Sequence, residues 1–496
     1  MNSPTAILGA LNLDPDLETP LYRQLYDSVR SAILSGRLLA GLRMPPSRTL
    51  AKELAIGRNT VVAAYEQLIA EGYLESRVGS GTHVAAIPPD TLIEAGRAER
   101  QEIKPDPRRR LSQRGEAMLT VKRASPSYVK GHVLPFQHGM PSLEFFPHQV
   151  WARLLARRAR QPQSRLFDYQ LGTGFPALRE AIAEYLGAAR GVVCGPDNVI
   201  VTAGAQASLD LATRLVVDPG DVVWHEEPGY LGARGAFLAS SARIVPVPVD
   251  EEGMNPDAAP PGEDPPRLIY CTPSHQYPLS VTMSLKRRLA LLQKANEVGA
   301  WILEDDYDSE FRYAGRPLSS LQGLDRTGGV IYMGTMAKTL FPAIRIGYLV
   351  VPDNMVEACL RAIRVTGQNP PAIVQAALAD FMHEGHFSAH IRRMRALYAE
   401  RRDLLIDALE SKLGGRIRPA RPDGGMQLPA FLPEGVSDDD ATAAADRHKV
   451  LTTAVSHFYL TQRKRHALYL GFAGVPEKLI EPGVERLSAA LHEVGV

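Results

Sequence analysis

The sequence predicts an α/β protein, in which a small helical unit precedes a large domain built on a mostly parallel sheet. Three observations carry this. First, short apolar runs bounded by turn residues recur within the stretch from about residue 131 to 496: VIVT (199–202), DVVWH (221–225), RLIYCT (267–272), AWILED (300–305) and VIYMG (330–334), with helical stretches such as SLKRRLALLQKANEVG between them. Second, the first 85 residues have a different texture, with three short helical segments punctuated by glycine. Third, 496 residues are too many for one ordinary domain; roughly two to four are expected. The boundaries read as 1–85 for the small unit, 86–130 for a linker and 131–496 for the large domain. The linker stretch holds ten basic and six acidic residues with few large apolar ones, and room for one short helix.

The small unit is justified element by element. Thr19-Pro20 is a helix start, because threonine can accept from backbone N–H groups and proline fits the first helical position. Leu21, Leu25, Val29 and Ile33 then recur every four residues, giving one apolar face, and Gly36 ends it. Pro45-Pro46-Ser47 opens a second helix, SRTLAKELA. After Gly57 the segment RNTVVAAYEQLIAEG forms a third, ending at Gly72. YLESRVGSGTHV then gives two β-like runs about a glycine-rich tip. Two short helices with a break, followed by a hairpin, describe a winged helix-turn-helix, whose third helix enters the DNA major groove by its N-terminal end. Arg58, Asn59 and Thr60 stand there; arginine suits guanine, asparagine adenine, and threonine a phosphate or a thymine methyl. Arg48 is placed for a phosphate, and Arg77, Gly79, Ser80 and Gly81 form the wing. On spacing alone, a helical packing module with solvated arginines remains open.

Composition narrows the class. Lys+Arg is 56 and Asp+Glu is 55, so contact with nucleic acid must be a local patch. Apolar residues make up 45%, which excludes disorder over most of the chain. The cysteines, Cys194, Cys271 and Cys359, are odd in number and far apart, as expected of a reducing compartment without a disulfide framework. No apolar run approaches a membrane span and the first residues lack a signal-peptide pattern, so a soluble cytoplasmic protein is expected.

In the large domain, YMGTMAKTLFPAIRIGYLV puts Lys338 just past a strand, with Thr335 before it and Arg345 after it. A buried lysine beside an aldehyde cofactor forms a Schiff base, and a nearby arginine and hydroxyl suit its phosphate. Standing alone, the segment reads better as a polar loop with a surface lysine. AWILEDDYDSEFRY places Asp305 at a strand end and Tyr307 two residues on. An acid there can hold a pyridine nitrogen protonated, and a solvated acidic loop or a metal site are the alternatives. VTAGAQASLDL is a strand, a glycine turn and a helix start, aiming the backbone N–H groups of Gly204, Ala205 and Gln206 at an anion. EEPGY offers Tyr230 for stacking on a flat ring, or as a core tyrosine.

These motifs carry two resemblances. PLYRQLYDSVRSAILSGRL, PPSRTLAKELA, RNTVVAAYEQLIAEGYL and RVGSGTHV resemble the GntR-type winged helix. VIVTAGAQASLDL, EEPGY, TPSHQYP, EDDYDSEFRY, GRPLSSLQ and GTMAKTL resemble the fold-type I aminotransferases that use pyridoxal 5′-phosphate (PLP), and more narrowly the MocR subfamily, which joins such a domain to a GntR-type reader. The resemblance implies double-stranded operator DNA as partner, PLP on Lys338, and Asp305 at the pyridine nitrogen. It implies Tyr307 on the phenolic oxygen and Tyr230 on the ring. The phosphate would fall to Arg345, Thr335, Gly204, Ala205 and Gln206. It also implies a homodimer with each reader swapped over its partner.

Two departures bear on function. Aminotransferases usually carry Asn-Pro-Thr-Gly where this chain has Tyr277-Pro278-Leu279-Ser280, so the asparagine that bonds the cofactor oxygen is absent; His275 stands in for it or is a loop histidine. Enzymes of this fold also grip a substrate carboxylate with an arginine near the C-terminus. The corresponding stretch, ALYLGFAGV (467–475), has none, and Arg463, Arg465 and Arg234 are the substitutes on hand. A missing clamp removes orientation that transamination needs. The expectation is a PLP-dependent regulator, not an enzyme, sensing PLP or a PLP adduct of an amine or amino acid. Its rival is an aminotransferase with a vestigial DNA-binding domain.

Overall fold

The computed structural model describes residues 13–14, 17, 19–77, 80–86, 110–121, 134–160, 164–169, 172–314, 319–461 and 465–496. They form two compact units, Met1–Arg110 and Leu111–Val496.

In the small unit, helix α1 (Leu21–Leu34) buries Leu25, Val29 and Ile33. Its N-cap is Pro20, and no side chain caps it. The expected Thr19 cap is not formed: the Thr19 carbonyl accepts from Gln24 Nε2 at 2.7 Å, and proline's fixed φ sets the entry. Helices α2 (Ser47–Glu53) and α3 (Arg58–Ala70) follow. Leu25, Val29, Leu50, Val61 and Leu68 are fully buried between them. Burial of one such side chain contributes about 1.5–3 kcal/mol. The wing is an antiparallel pair, β1 (Leu74–Arg77) and β2 (Gly81–Val84), with Leu74 opposite Val84. A third rung was not expected: Gly41 N and Met44 N donate to the carbonyls of Val84 and Thr82 at 2.9 and 2.8 Å.

The large unit opens with helix α4 (Gln113–Leu119), capped by the Ser112 hydroxyl and lying within the stretch read as a linker. Its sheet has eight strands: β3 (Val199–Thr202), β4 (Val222–Glu227), β5 (Arg243–Asp250), β6 (Gly253–Met254), β7 (Leu268–Cys271), β8 (Trp301–Asp306), β9 (Val330–Thr335) and β10 (Gly347–Val350). The spatial order is β3-β10-β9-β8-β7-β4-β5-β6. The run β9-β8-β7-β4-β5 is parallel, whereas β10 runs antiparallel to both its neighbours and β6 antiparallel to β5. Interior strands read as continuous apolar runs because helices cover both faces; β4, β7 and β9 are buried throughout, whereas β5, near the edge, alternates. The helices that set the site are α5 (Ala205–Val216), α6 (Leu231–Ala239) and α7 (Leu285–Val298). A second sheet, β11 (Arg418–Pro419), β12 (Gln427–Phe431), β13 (Thr453–Ala454) and β14 (Ala467–Gly471), is antiparallel in the order β11-β12-β14-β13. Among the described residues no helix is long and apolar enough to cross a membrane.

Candidate functional site

The carboxyl ends of four neighbouring parallel strands open into one cavity of about 300 Å³, the place where open α/β sheets bind ligands. Strand β8 delivers Asp305 and Tyr307 to its wall, β7 delivers Tyr270 and Thr272, and β4 leads into Tyr230. Strand β9 ends at Thr335, and one helical turn (Met336–Thr339) turns Lys338 inward. The wall is completed from outside the sheet by His138, Gly139 and Gln427.

Lys338 is the cation of this cavity. Its Nζ donates to the Gly139 carbonyl at 2.8 Å, and a Cβ on Gly139 would lie 2.8 Å from that nitrogen. Burial lowers the Lys338 pKa, and the charges of Asp308 and Asp305 only partly oppose this. Asp305 moves the other way. Burial pushes its carboxyl up to about 7, the Tyr270 hydroxyl bond at 2.7 Å works against the rise, and the charges of Asp306, Glu226 and Asp308 add to it. Asp306 differs from its neighbour: burial would raise it, but Arg190 at 2.7 Å and the Tyr332 hydroxyl at 2.5 Å hold it below the ordinary range. Removing one partner of so buried a pair costs about 3–5 kcal/mol.

Gly204 (φ 99°) is the N-cap residue of α5, and a Cβ on Gly347 would meet the Gly204 carbonyl carbon at 2.7 Å. Glycine is required there for two backbones to pass so closely. Ala205 and Thr335 line the cavity, whereas Gly204, Gln206 and Arg345 lie next to that wall rather than in it. A Cβ on Gly204 would lie 3.8 Å from the Arg345 guanidinium carbon. The Gln206 amide is turned away, donating to the Gly232 carbonyl at 2.9 Å.

His275 requires a correction. It lies behind Tyr307, outside the cavity wall, where its Nδ1 meets Asp308 at 2.9 Å and the Tyr307 hydroxyl at 3.0 Å. It therefore sets the position of Tyr307 and does not itself face the cavity. The side chain standing at the departed Asn-Pro-Thr-Gly motif inside the wall is Tyr277. The substitute clamps fare no better. The Arg465 guanidinium stacks 4.1 Å over Phe431 in a separate open groove, Arg234 sits on α6 outside the wall, and Arg463 lies outside the described residues.

In the small unit Arg58 and Asn59 are exposed at the N-terminus of α3, with Thr60 half-buried beside them. No side chain caps this helix, so its first N–H groups and its positive dipole end face outward with them. Arg48 is exposed on α2. Ser80 and Gly81 are exposed in the wing, Arg77 lies 3.6 Å from Glu75 in an exposed pair worth little, and Gly79 lies outside the described residues.

Comparison with known proteins decides the family. The model "Bacterial regulatory proteins, gntR family" matches residues 21–84, and "Aminotransferase class I and II" matches 133–487. The chain is 44% identical, over 97% of its length and 95% of the relative's, to the "Probable rhizopine catabolism regulatory protein MocR" of Rhizobium meliloti. The chain belongs to the MocR-type GntR regulators. A second such relative is the "HTH-type pyridoxine biosynthesis transcriptional regulator PdxR" of Corynebacterium glutamicum, 31% identical over 97% of the chain and 98% of that protein. Among solved structures, the α-aminoadipate aminotransferase LysN of Thermus thermophilus, complexed with N-(5′-phosphopyridoxyl)-L-leucine, matches at a TM-score of 0.68 and 29% identity. The match covers 77% of this chain and 95% of that one.

In this MocR-type chain, sequence reasoning missed Tyr270, Thr272, Tyr277, His138, Gly139 and Gln427 on the cavity wall. A signal existed for Tyr270 and Thr272: both stand at the carboxyl end of an interior apolar strand, as Asp305 does. The raised Asp305 pKa yields a prediction. Its ordinary value is 3.8 and its folded value about 7, so its contribution to stability is full below about 4 and is lost as pH rises through 7. Asp305→Asn cannot ionise. Without ligand, its melting temperature relative to the parent is expected to rise between pH 5 and pH 8. A difference that stays constant across that range would contradict the burial assignment.

Proposed function

We propose that the chain is a PLP-dependent transcriptional regulator in which residues 1–85 read operator DNA, 86–130 link, and 131–496 hold PLP and sense it or its adduct with an amine. The observation that carries this reading is the pairing of Lys338 and Asp305 in one buried cavity of a chain that also carries a GntR reader. The residues present fit PLP. A lysine of lowered pKa, a buried carboxyl, an aromatic wall and the N-terminal end of a 12-residue helix that no side chain caps match an aldehyde, a pyridine nitrogen, a flat ring and a phosphate.

PLP, when bound, supplies an aldehyde for covalent attachment and a ring that withdraws electrons. Lys338 Nζ is the attaching amine, oriented by the Gly139 carbonyl. Asp305 holds a proton at the ring nitrogen and regains a charge partner for its buried carboxylate. Tyr307, fixed from behind by His275, bonds the phenolic oxygen, and Tyr230 covers the ring. Thr335, Arg345 and the backbone N–H groups of Gly204, Ala205 and Gln206 take the phosphate. A cytoplasmic homodimer places two readers on two half-sites. The ligand switches their arrangement only by binding one arrangement more tightly than the other.

The test is binding of the full chain to the DNA upstream of its own gene, with and without PLP, at fixed salt. Specific binding that changes with PLP is expected. A second reading, an aminotransferase, is favoured by the intact Lys338 and Asp305 and by the likeness to LysN. Steady multiple turnover with an ordinary amino donor would establish it, and the absent arginine clamp argues against that outcome.

A further inference from the structure

The two ring nitrogens of His275 have different surroundings, and the difference fixes where the ring proton sits. Nδ1 faces both oxygens of Asp308, at 2.9 and 3.1 Å, and the two side chains are 5% and 1% exposed. The Asp308 carboxylate, whose charge also reaches Lys338, accepts and has nothing to donate. Nδ1 therefore carries the proton of that contact. Nε2 is buried, and among the described residues it has no hydrogen-bond partner. His275 also lines a space of about 20 Å³ together with Arg190, Arg288 and Arg312. Cations around the ring suit a bare Nε2 better than a second N–H.

Tyr307 takes the consequence. Its hydroxyl lies 3.0 Å from the same Nδ1. A nitrogen that already carries a proton cannot receive another, so at this contact the Tyr307 oxygen accepts and its own hydrogen points elsewhere. What that hydrogen can meet is the Tyr469 hydroxyl behind the wall, or a ligand oxygen in the cavity that Tyr307 lines. An oxyanion is the stronger acceptor of the two, because a hydrogen bond to a charged oxygen is roughly twice as strong as one between neutral groups. A bare Nδ1 would instead take the hydrogen itself and turn it away from the cavity.

We propose that His275, held in its Nδ1–H form by Asp308, is a positioning residue that commits Tyr307 to donate its hydroxyl hydrogen to an oxyanion of the bound ligand, the phenolic oxygen of PLP. This rests on the PLP reading of the same cavity. It goes further in giving a buried pair outside the wall control over the donor to that oxygen, in a chain that lacks the asparagine of Asn-Pro-Thr-Gly.

The test is the dissociation constant of PLP, followed by its absorbance on the full-length protein, in a set of variants. Tyr307→Phe is expected to weaken PLP about tenfold, the size of one hydrogen bond to a charged oxygen. His275→Phe keeps a ring in place but has no N–H, and it is expected to weaken PLP by a similar factor although Tyr307 is still present. His275→Asn is smaller, yet its amide can put an N–H where Nδ1–H stands, and it is expected to recover most of the loss. A packing role would give the opposite order, with affinity kept in His275→Phe and lost in His275→Asn. The double variant His275→Phe with Tyr307→Phe is expected to be no weaker than either single one, since both remove the same bond. Parental affinity in His275→Phe or in Tyr307→Phe, a loss in His275→Asn as large as in His275→Phe, or factors that multiply in the double variant each overturns the proposal. If melting curves show that His275→Phe does not fold, His275→Leu, which also lacks the N–H, takes its place. Failure of the underlying reading looks different: cofactor absorbance would be missing from the parent protein, or would survive intact in Lys338→Ala.

Discussion

Lys338→Ala is expected to lose the near-ultraviolet and visible absorption of bound PLP and to weaken retention of PLP by about a hundredfold, on the order of 3 kcal/mol. The argument rests on what surrounds the nitrogen. Lys338 is the one amine on the described cavity wall, its pKa is lowered by burial, and the Gly139 carbonyl holds it in place at 2.8 Å. Burial that lowers the pKa raises the share of the amine whose lone pair is free, which attachment to an aldehyde requires. Alanine leaves PLP only its phosphate and ring contacts. Any effect of PLP on DNA binding should vanish with the absorbance. Binding to operator without PLP should stay at the parental level, because Arg48, Arg58 and Asn59 belong to the other compact unit. Parental absorbance together with a parental response to PLP would remove Lys338 from its assigned role.

Legibility followed physical rules that differ from residue to residue. The interior strands could be read because burial on both faces makes them continuous apolar runs; the forecast VIVT is β3, and VIYMG lies within β9. Asp305 stood out because a polar residue closing such a run falls at the strand end where ligands bind, and Lys338 because it follows another such run within one turn. Other wall residues left no local trace. Gly139 meets Lys338 across 199 positions and Gln427 across 288, so nothing in either neighbourhood announces the encounter. His275 was visible as a histidine near the site, but only side-chain direction reveals that it faces Asp308 behind Tyr307. The third rung of the wing was hidden because residues 41–44 pair through a few backbone bonds and form no strand-length apolar run. At Thr19 the local rule favoured a hydroxyl cap, and the Pro20 backbone set the start instead.

Arg58→Ala and Arg48→Ala are expected to fail in different ways, and the difference tests which groups read sequence. Arg58 is exposed at the N-terminus of α3, the end that enters the major groove, next to Asn59. A bidentate contact with guanine discriminates against a wrong base by about 1–3 kcal/mol, so its loss should bring operator affinity down toward that for unrelated duplex while the latter changes little. Arg48 is exposed on α2, the first helix of the helix-turn-helix, the one that in this motif crosses the phosphate backbone. Its removal should weaken both duplexes alike and reduce the slope of log affinity against log salt by about 1. Neither side chain contributes to the buried core formed by Leu25, Val29, Leu50, Val61 and Leu68, so the melting temperature of the reader should hold in both variants. Fluorescence anisotropy on operator and scrambled duplex over a salt series distinguishes the two. Equal losses on both duplexes for both variants would place Arg58 on phosphate and shift the sequence reading to Asn59 and the wing. A loss confined to the operator in Arg48→Ala would mean that α2 lies deeper in the groove than a winged helix of this arrangement permits.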